Sequence, residues 1–293
     1  MSDSTLLIIL STLSTGLLMG AIFSLVAAGV TIVYGCVWLP NASNGQFFLL
    51  AALAAWTFTL SFGWSSLAAS LAVIVLGVLL AVVLELVLIR HLYNAPNRNV
   101  AYFVVTLGMT QILSGIFSLT YAKWSDQFSV PPVIEGITML GPFPISNNRL
   151  LALAISLGVL GLLFALLRYH PYGRALRAVF QNREAAALRG VNVRAIYRLS
   201  FVLGSTIIFL GGILFAFAYS FDLSVAWTMS ITAFAIMIVG GPGSVLGALV
   251  VGMTFGFTQA IVSIFASPTI AMFSYLGAML IMLLFQPNGL FKR

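Results

Sequence analysis

Long apolar segments separated by short polar stretches make up most of this chain. Residues 4–84 contain no charged side chain. A helix that crosses a membrane needs about 20 apolar residues, so this block predicts three or four passes. Further passes are predicted at 100–121, 149–167, 199–219, 226–239, 245–265 and 270–285. The pattern predicts an all-α polytopic membrane protein with about eight to ten transmembrane helices. These helices are expected to form a single transmembrane domain over residues 1–293.

The longest basic segment, residues 169–198, lies between two of these apolar stretches. Counted with Arg168 at its edge, it holds seven of the thirteen basic residues and one acid, Glu184. Loops rich in arginine and lysine remain on the cytoplasmic side of a membrane. The segment is therefore predicted to be cytoplasmic, and Lys292 and Arg293 predict the same side for the C-terminus. The longest loop on the opposite, external side covers residues 122–148, in which 132–138 are candidates for a small hairpin.

The inner part of the basic segment predicts a short capped helix. Asn182 can accept hydrogen bonds from backbone N–H groups of the first turn, and Gly190 can adopt the left-handed conformation that ends a helix. Glu184 in the first turn and Arg189 in the last both favour the helix dipole. Such a helix lying across the membrane face suits docking into a groove of another protein. The alternative is a basic loop that only sets the topology.

The apolar pattern is interrupted at residues 38–46, where proline, glycine and four polar side chains occur together. Non-helical backbone at membrane depth is stable only where protein or a water-filled cavity satisfies its polar groups. Broken helices of this kind commonly line substrate sites. This interpretation assigns four side chains to a substrate pathway: Asn41, Ser43, Asn44 and Gln46. The alternative is a simple surface turn between two spans.

A second interruption follows the short apolar segment 226–239, in the other half of the chain. It consists of Gly240, Gly241, Pro242, Gly243 and Ser244. Two interruptions in the two halves of a transporter point to a site near the middle of the membrane, so these residues are also pathway candidates. Gln111 is a further candidate, since an amide in contact with lipid is costly and is expected to face a polar cavity.

The composition supports a membrane protein and excludes several other classes. Of 293 residues, 61% are hydrophobic and 6% charged, whereas soluble domains carry about 25% charged residues. Topology and anionic lipid headgroups account for the net charge of +7, so nucleic-acid binding is not indicated. Because Cys36 is the one cysteine and His91 and His170 are isolated, neither an internal disulfide nor a metal site is predicted. Glu85 is interpreted as half of a structural ion pair, close in sequence to Arg90 and His91.

The sequence lacks the groups that would energise transport by itself. A phosphate-binding loop requires Gly-Lys followed by Ser or Thr, but Lys123 and Lys292 are followed by Trp124 and Arg293. The six acidic residues lie in loops or near segment ends, whereas a proton-coupled carrier usually places a carboxylate within the membrane. No nucleophile and base occur in a catalytic arrangement, so the chain is not expected to be an enzyme.

Three segments resemble one family of membrane proteins. Residues 182–193, Asn-Arg-Glu-Ala-Ala-Ala-Leu-Arg-Gly-Val-Asn-Val, resemble the cytoplasmic coupling segment of the permeases that import branched-chain amino acids, and of the related urea and amide permeases. Residues 240–244 resemble the family's Gly-Gly-x-Gly-Ser motif. Residues 286–291 resemble its terminal Arg-Pro-x-Gly-Leu-Phe pattern, with Gln286 in place of the arginine.

The first interruption departs from the family pattern. The family's usual sequence there is Asn-Phe-Ala-His-Gly-Glu, of which Asn41 and Gly45 are present, while Asn44 and Gln46 replace the histidine and the glutamate. Two ionisable groups have therefore become neutral amides. The substrate is left open between a branched-chain or related amino acid, urea or a short-chain amide, and a small organic acid.

The resemblance implies the permease fold and role of an ATP-binding-cassette (ABC) importer in a bacterial cytoplasmic (inner) membrane. Substrate would move from the periplasmic side to the cytoplasm by alternating access. The implied partners are a second homologous permease, two ATP-binding subunits on the cytoplasmic side, a periplasmic or lipid-anchored solute-binding protein and membrane lipids. ATP and Mg²⁺ would be bound by the ATPase subunits, and this chain would hold no cofactor. The residues implied in ATPase coupling are Asn182, Arg183, Glu184, Ala185, Ala186, Leu188, Arg189 and Gly190.

The alternative from another functional class is a stand-alone ion-driven carrier or channel.

Overall fold

A computed structural model describes residues 3–37, 41–93, 97–124, 127–140, 143–286 and 289–291. Positions 38–40, at the start of the first interruption, and Lys292 and Arg293, which predict a cytoplasmic C-terminus, lie outside the described residues.

The described residues form twelve α-helices and one two-stranded antiparallel sheet. The helices are α1 (Asp3–Val37), α2 (Asn44–Trp56), α3 (Ser66–Leu84), α4 (Arg90–Leu92), α5 (Arg98–Tyr121), α6 (Asn147–Tyr169), α7 (Pro171–Gln181), α8 (Arg183–Leu188), α9 (Val193–Ala218), α10 (Val225–Gly240), α11 (Val245–Phe265) and α12 (Pro268–Phe285). The π-helical turns Thr57–Ser61 and Glu85–Ile89 extend α2 and α3. The strands are β1 (Ile137–Leu140) and β2 (Phe143–Ser146).

Among the described residues, six helices are long and apolar enough to cross a membrane. They are Ser11–Gly35, Ser66–Leu92, Asn99–Tyr121, Asn147–Tyr169, Val193–Ala218 and Val245–Phe265. Two shorter apolar helices, Val225–Gly240 and Thr269–Phe285, accompany them. The prediction of an all-α membrane fold is confirmed.

Helix α1 forms the centre of the bundle. Every side chain from Ala21 to Val33 is buried, and the helix packs against α6, α9, α10 and α11. A helix that is apolar on all sides is stable against protein or against lipid. Neighbouring helices cover α1, whereas α3 and α6 at the periphery leave one apolar face exposed.

Facing glycines allow the backbones around α1 to come into contact. A side chain at Gly29 would place its Cβ 2.7 Å from the carbonyl oxygen of Gly204 in α9. On α11, a Cβ at Gly256 would lie against the backbone N and Cα of Gly20. Without a hydrophobic effect between helices in lipid, association depends on such close packing.

Aromatic residues join the external loop to the bundle. The ring of Phe128 lies 5.2 Å from that of Trp56 in α2 and 5.7 Å from that of Phe221, which follows α9. Further along this loop, Ile137 pairs with Ser146 and Leu140 with Phe143. The hairpin therefore lies after Gly136 (φ +103°), and the prediction of a hairpin at 132–138 was wrong in position. The N–H of Val133 donates instead to the Oδ1 of Asn148 at the start of α6, at 3.0 Å, so this part of the loop does not form a strand.

We expect Gly256→Ala to destabilise the bundle, because the added methyl group meets the backbone of Gly20 and can be relieved only by moving α1. Overpacking of this kind costs roughly 1–3 kcal/mol. The measurement is the thermal unfolding midpoint of the detergent-purified chain. The control is Gly158→Ala in α6, where a Cβ has no atom within 4 Å; equal midpoints for the two variants would contradict the prediction.

Candidate functional site

Helix α8 has the caps that the sequence predicts. The Asn182 Oδ1 accepts hydrogen bonds from the backbone N–H groups of Glu184 (2.9 Å) and Ala185 (3.0 Å). Gly190 follows the helix with a φ of +83°. The Oδ1 of Asn192 then accepts from the N–H of Ala195 at 3.1 Å and starts α9. The prediction of a short capped helix is therefore confirmed, and both of its ends depend on residues of the segment itself.

Most of α8 is exposed. Ala186 is buried against the protein, whereas 90% of the Leu188 surface is accessible. Arg183 and Glu184 face each other at 4.0 Å with exposed side chains, and such a surface pair contributes little to stability. The exposed residues also include Asn182, Ala185, Arg189 and Gly190. This helix presents an apolar side chain among charged ones, an arrangement suited to a partner's groove.

Phe180 of α7 connects this segment to the bundle. A Cβ at Gly35, near the end of α1, would lie 2.6 Å from its Cζ, and a Cβ at Gly243 would lie 3.1 Å from its Cδ2. The ring thus fills the space between α1 and the second interruption. A displacement of α7 and α8 would be transmitted through Phe180 to both elements.

The second interruption is a tight connection between α10 and α11. Gly241 and Gly243 have φ values of +95° and +81°, a region that favours glycine. The Ser244 Oγ accepts from the N–H of Gly247 at 3.0 Å and caps α11. At the same end, the N–H of Leu290 donates to the carbonyl of Val239 at 2.8 Å. Gly240–Ser244 therefore lies beside α7 and the C-terminal segment.

The first interruption is buried inside the bundle. Asn41 Oδ1 accepts from the N–H (3.0 Å) and the hydroxyl (2.7 Å) of Ser43. The N–H of Ala42 donates to Thr106 Oγ1 of α5 at 3.2 Å, and that of Gly45 donates to Ser230 Oγ of α10 at 2.9 Å. Neighbouring helices therefore satisfy this irregular backbone, as membrane depth requires.

The two interruptions lie at different levels of the bundle. Gly45 packs on Ala226 and Ser230 in the first turns of α10. Ser230 precedes Gly240 by ten residues, which is about 15 Å along a helix. The structure therefore brings together the candidates Asn41, Ser43, Asn44 and Gln46, but it does not bring Gly240–Ser244 to them.

Several polar atoms of the first interruption have no hydrogen-bond partner among the described residues. They are the Nδ2 of Asn41, both amide atoms of Asn44 and the Oε1 of Gln46. Their side chains are 1–3% exposed. An unsatisfied buried polar group costs about 1–3 kcal/mol, so these atoms have hydrogen-bonding capacity left for a bound molecule.

Gln111 does not face a cavity inside this chain. Thr106 and Thr110 are buried, and the contact of Thr106 with Ala42 sets the rotation of α5. Gln111 lies five residues beyond Thr106, about 140° around the helix, and is exposed. A Cβ at Gly108 or Gly115, on either side of it, meets no atom within 4 Å. The buried threonines turn the amide outward from this chain, and its assignment to a polar cavity stays a prediction.

Two contacts were missed from the sequence. The ion pair predicted for Glu85 is present, but its partner was not predicted. The Nε of Arg198 in α9 donates to the Oε2 of Glu85 at 3.1 Å, so the partner of Glu85 is distant in sequence and is neither Arg90 nor His91. The Glu85 side chain is 1% exposed and that of Arg198 is 52% exposed. A π-helical turn, which often occurs at functional positions, begins at Glu85. Phe180 was the other, since apolar periodicity does not distinguish it from ordinary packing.

Among the described residues, no three His, Cys, Asp or Glu side chains form a metal-binding group.

Comparisons with known proteins cover nearly the whole chain. A family model described as "Branched-chain amino acid transport system / permease component" matches residues 12–285. The chain is 25% identical over 292 residues to the high-affinity branched-chain amino acid transport system permease protein LivH of Escherichia coli (strain K12), covering 95% of this chain and 94% of LivH. It is 26% identical over 299 residues to the corresponding protein BraD of Pseudomonas aeruginosa, covering 97% and 96%.

A solved structure shares the fold. It is described as PsaBC from Streptococcus pneumoniae in complex with Fab, and it aligns with a TM-score of 0.51 at 12% sequence identity. The alignment covers 92% of this chain and 90% of that chain. The similarity concerns the arrangement of helices alone.

We expect Arg198→Gln to destabilise the protein, because it leaves the Glu85 carboxylate buried and unpaired. Removing one partner of a fully buried pair costs about 3–5 kcal/mol; because half of the Arg198 side chain is exposed and its charge is screened, we expect a smaller loss of about 1–2 kcal/mol. In the double variant Glu85→Gln/Arg198→Gln no buried charge remains, so most of the loss should be recovered. Thermal unfolding of the wild type, both single variants and the double variant measures this; a double variant with the summed loss of the two single ones would argue against the pairing.

Proposed function

Because this chain belongs to the family of permease components of branched-chain amino acid transport systems, we propose that it is the membrane-spanning subunit of an ABC importer. It moves substrate from the periplasmic side to the cytoplasm by alternating access. The observation that carries this proposal is the capped, exposed helix α8 on a chain matched by the family over 12–285. The chain acts as a transport subunit, and ATP and Mg²⁺ belong to the ATPase subunits.

Helix α8 is proposed as the coupling helix. Its exposed Leu188 enters an apolar groove of an ATP-binding subunit, while Arg183, Glu184 and Arg189 contact the rim. ATP binding moves α8 together with α7. Phe180 transmits that movement to the end of α1 and to Gly243, which it contacts, and the connection between α10 and α11 changes with it. Because the ATP-binding subunits lie on the cytoplasmic side, this role places residues 169–198 and the C-terminus in the cytoplasm of a bacterial cell.

The substrate pathway is proposed to run past the first interruption. In the structure the side chains of Asn44 and Gln46 are buried, and the neighbouring N–H groups of Ala42 and Gly45 donate to Thr106 of α5 and Ser230 of α10. Alternating access opens this region and lets the substrate satisfy the unpaired amide atoms. Gly240–Ser244 serves as the moving connection at the cytoplasmic end of the pathway.

The exposed face of α5 is proposed to meet a second, homologous permease. Within the described chain, the exposed residues of α3 and of α6 between 150 and 167 are all apolar, as a lipid-facing surface requires. The α5 face differs because it carries the Gln111 amide, which is costly in lipid. Small residues at 108 and 115 permit close approach of another helix. Gln111 then lies between the two permeases, at the edge of a shared pathway.

The proposed substrate is a branched-chain or related amino acid, delivered by a periplasmic or lipid-anchored solute-binding protein. The relatives LivH and BraD are named for high-affinity branched-chain amino acid transport. One observation favours a second candidate, urea or a short-chain amide. Asn44 and Gln46 present neutral groups that both donate and accept hydrogen bonds, which complement an amide as well as a zwitterion.

We expect Leu188→Asp to abolish co-purification of ATP-binding subunits, because the variant puts a charge into an apolar groove. The measurement is affinity purification of the tagged chain from its native membrane in mild detergent, with identification of the bound subunits. Gln181→Asp is the control, since it adds the same charge on an exposed residue just before α8. ATP-binding subunits that remain with the Leu188→Asp chain would count against the coupling role, and a wild-type chain purified alone would favour a self-sufficient carrier.

We expect Asn44→Leu/Gln46→Leu to lower substrate uptake about tenfold or more, because two hydrogen-bonding side chains at roughly 1 kcal/mol each are lost. Uptake of labelled leucine, and separately of urea, is measured in cells that retain the assembled transporter. Thr254→Val is the control, since that hydroxyl bonds the carbonyl of Val250 in its own helix at 2.9 Å. Unchanged uptake in the double variant would exclude these side chains from the pathway.

A further inference from the structure

A basic cavity lies at the end of the bundle where α6 ends and α11 begins. Its volume is about 400 Å³, and its lining includes Arg168 of α6, Arg177 of α7 and Ser244 before α11. The apolar side chains of Phe164 and Leu246 form part of the same lining. The cavity therefore combines two guanidinium groups with an apolar wall.

Neither arginine is neutralised by an acid of the described chain. The ion pairs within 4.0 Å among the described residues are Arg183–Glu184 and Arg198–Glu85. The Arg177 guanidinium donates to the backbone carbonyl of Leu167, which orients it and leaves its charge in place. The Cζ of Arg168 lies 5.9 Å from the centroid of the Phe164 ring. Both groups retain donors for a planar, multi-oxygen anion such as phosphate.

The start of α11 adds to this positive potential. Ser244 caps the 21-residue helix by accepting from Gly247. The backbone N–H groups of Val245 and Leu246, in its first turn, have no carbonyl of the same helix to bond. The positive end of the helix dipole therefore points at the same region as the two arginines.

The apolar wall indicates what kind of anion fits. The side chains of Phe164 and Leu246 are 36% and 42% exposed. Phe164 lies near the end of the apolar helix α6, and Leu246 lies at the start of the apolar helix α11. Arg168 stands in the last turn of the apolar helix α6, and arginines near the ends of membrane-spanning helices extend towards the lipid headgroups. A free anion would gain nothing from this apolar rim, whereas a phospholipid would use both parts. Basic pockets between helices at this face of a membrane suit anionic headgroups.

We propose that this cavity binds the phosphate of an anionic phospholipid, with its acyl chains along Phe164 and Leu246. The site goes beyond the proposed transport function and rests on it only for the cytoplasmic placement of this end of the bundle. Ser244 ends the glycine connection whose Gly243 contacts Phe180, so the bound lipid holds that connection against α6 and α7. Lipid composition thereby tunes the stability of the joint between the bundle and the basic segment.

The test uses the purified full chain in a neutral detergent, titrated with phosphatidylglycerol or with phosphatidylcholine of the same acyl chains. Binding is followed by native mass spectrometry and by the thermal unfolding midpoint. We expect phosphatidylglycerol to bind about tenfold or more tightly than phosphatidylcholine, since two arginines contribute. Arg168→Gln/Arg177→Gln should lose this preference. Because Arg177 also holds the Leu167 carbonyl, Arg168→Gln is measured separately and should lose part of it.

Arg174→Gln is the matched control, because Arg174 is an exposed arginine on α7 that does not line the cavity. It should retain the preference for phosphatidylglycerol. Equal binding of the two lipids to the wild type overturns the proposal. So does a loss of the phosphatidylglycerol preference in Arg174→Gln equal to that in the double variant, because the preference then comes from the overall positive charge. Inorganic phosphate that binds as tightly as the lipid overturns the lipid assignment. If Arg168→Gln/Arg177→Gln keeps the lipid preference but no longer co-purifies with ATP-binding subunits, the lipid assignment is wrong. The cavity then binds an acidic group of the ATP-binding subunit.

Discussion

Close backbone contact around α1 is the constraint on which the rest of the structure depends. Gly20 meets Gly256 of α11, and Gly29 meets Gly204 of α9. These contacts bring three helices so close together that no side chain fits at the four glycine positions. The remaining helices then pack around a central rod that is buried on all sides. Any movement of the bundle must therefore occur by displacement of whole helices, since the core has little room for local adjustment.

The joint at Phe180 shows where such displacement can enter. One aromatic ring contacts the end of α1 and the connection between α10 and α11, while α8 follows it in sequence and is exposed. Left-handed glycines at 241 and 243 give that connection a shape set by backbone conformation. The proposed lipid cavity borders the same connection through Ser244. The basic segment, the connection and the lipid would therefore act on one joint.

Local features were predictable where the interacting residues are close in sequence. The caps Asn182 and Asn192 and the closing glycine at 190 act within three residues of their own position, so the sequence was sufficient to predict them. The position of the external hairpin was not predictable, because the N–H of Val133 donates to the side chain of Asn148, which belongs to a later element. The partner of Glu85 could not be predicted, because Arg198 lies 113 residues away and only the packing of α3 against α9 brings them together.

The sequence by itself determined the membrane class, the helical fold and the short capped helix. These follow from segment length, apolar composition and local hydrogen bonds, which do not depend on how helices pack. Tertiary structure alone decided that the interruption at Asn41–Gln46 lies deep in the bundle, while Gly240–Ser244 lies beside Phe180. It also turned Gln111 outward, because the rotation of α5 is set by the contact of Thr106 with Ala42. Rotation and depth are relations between helices, and a one-dimensional pattern does not contain them.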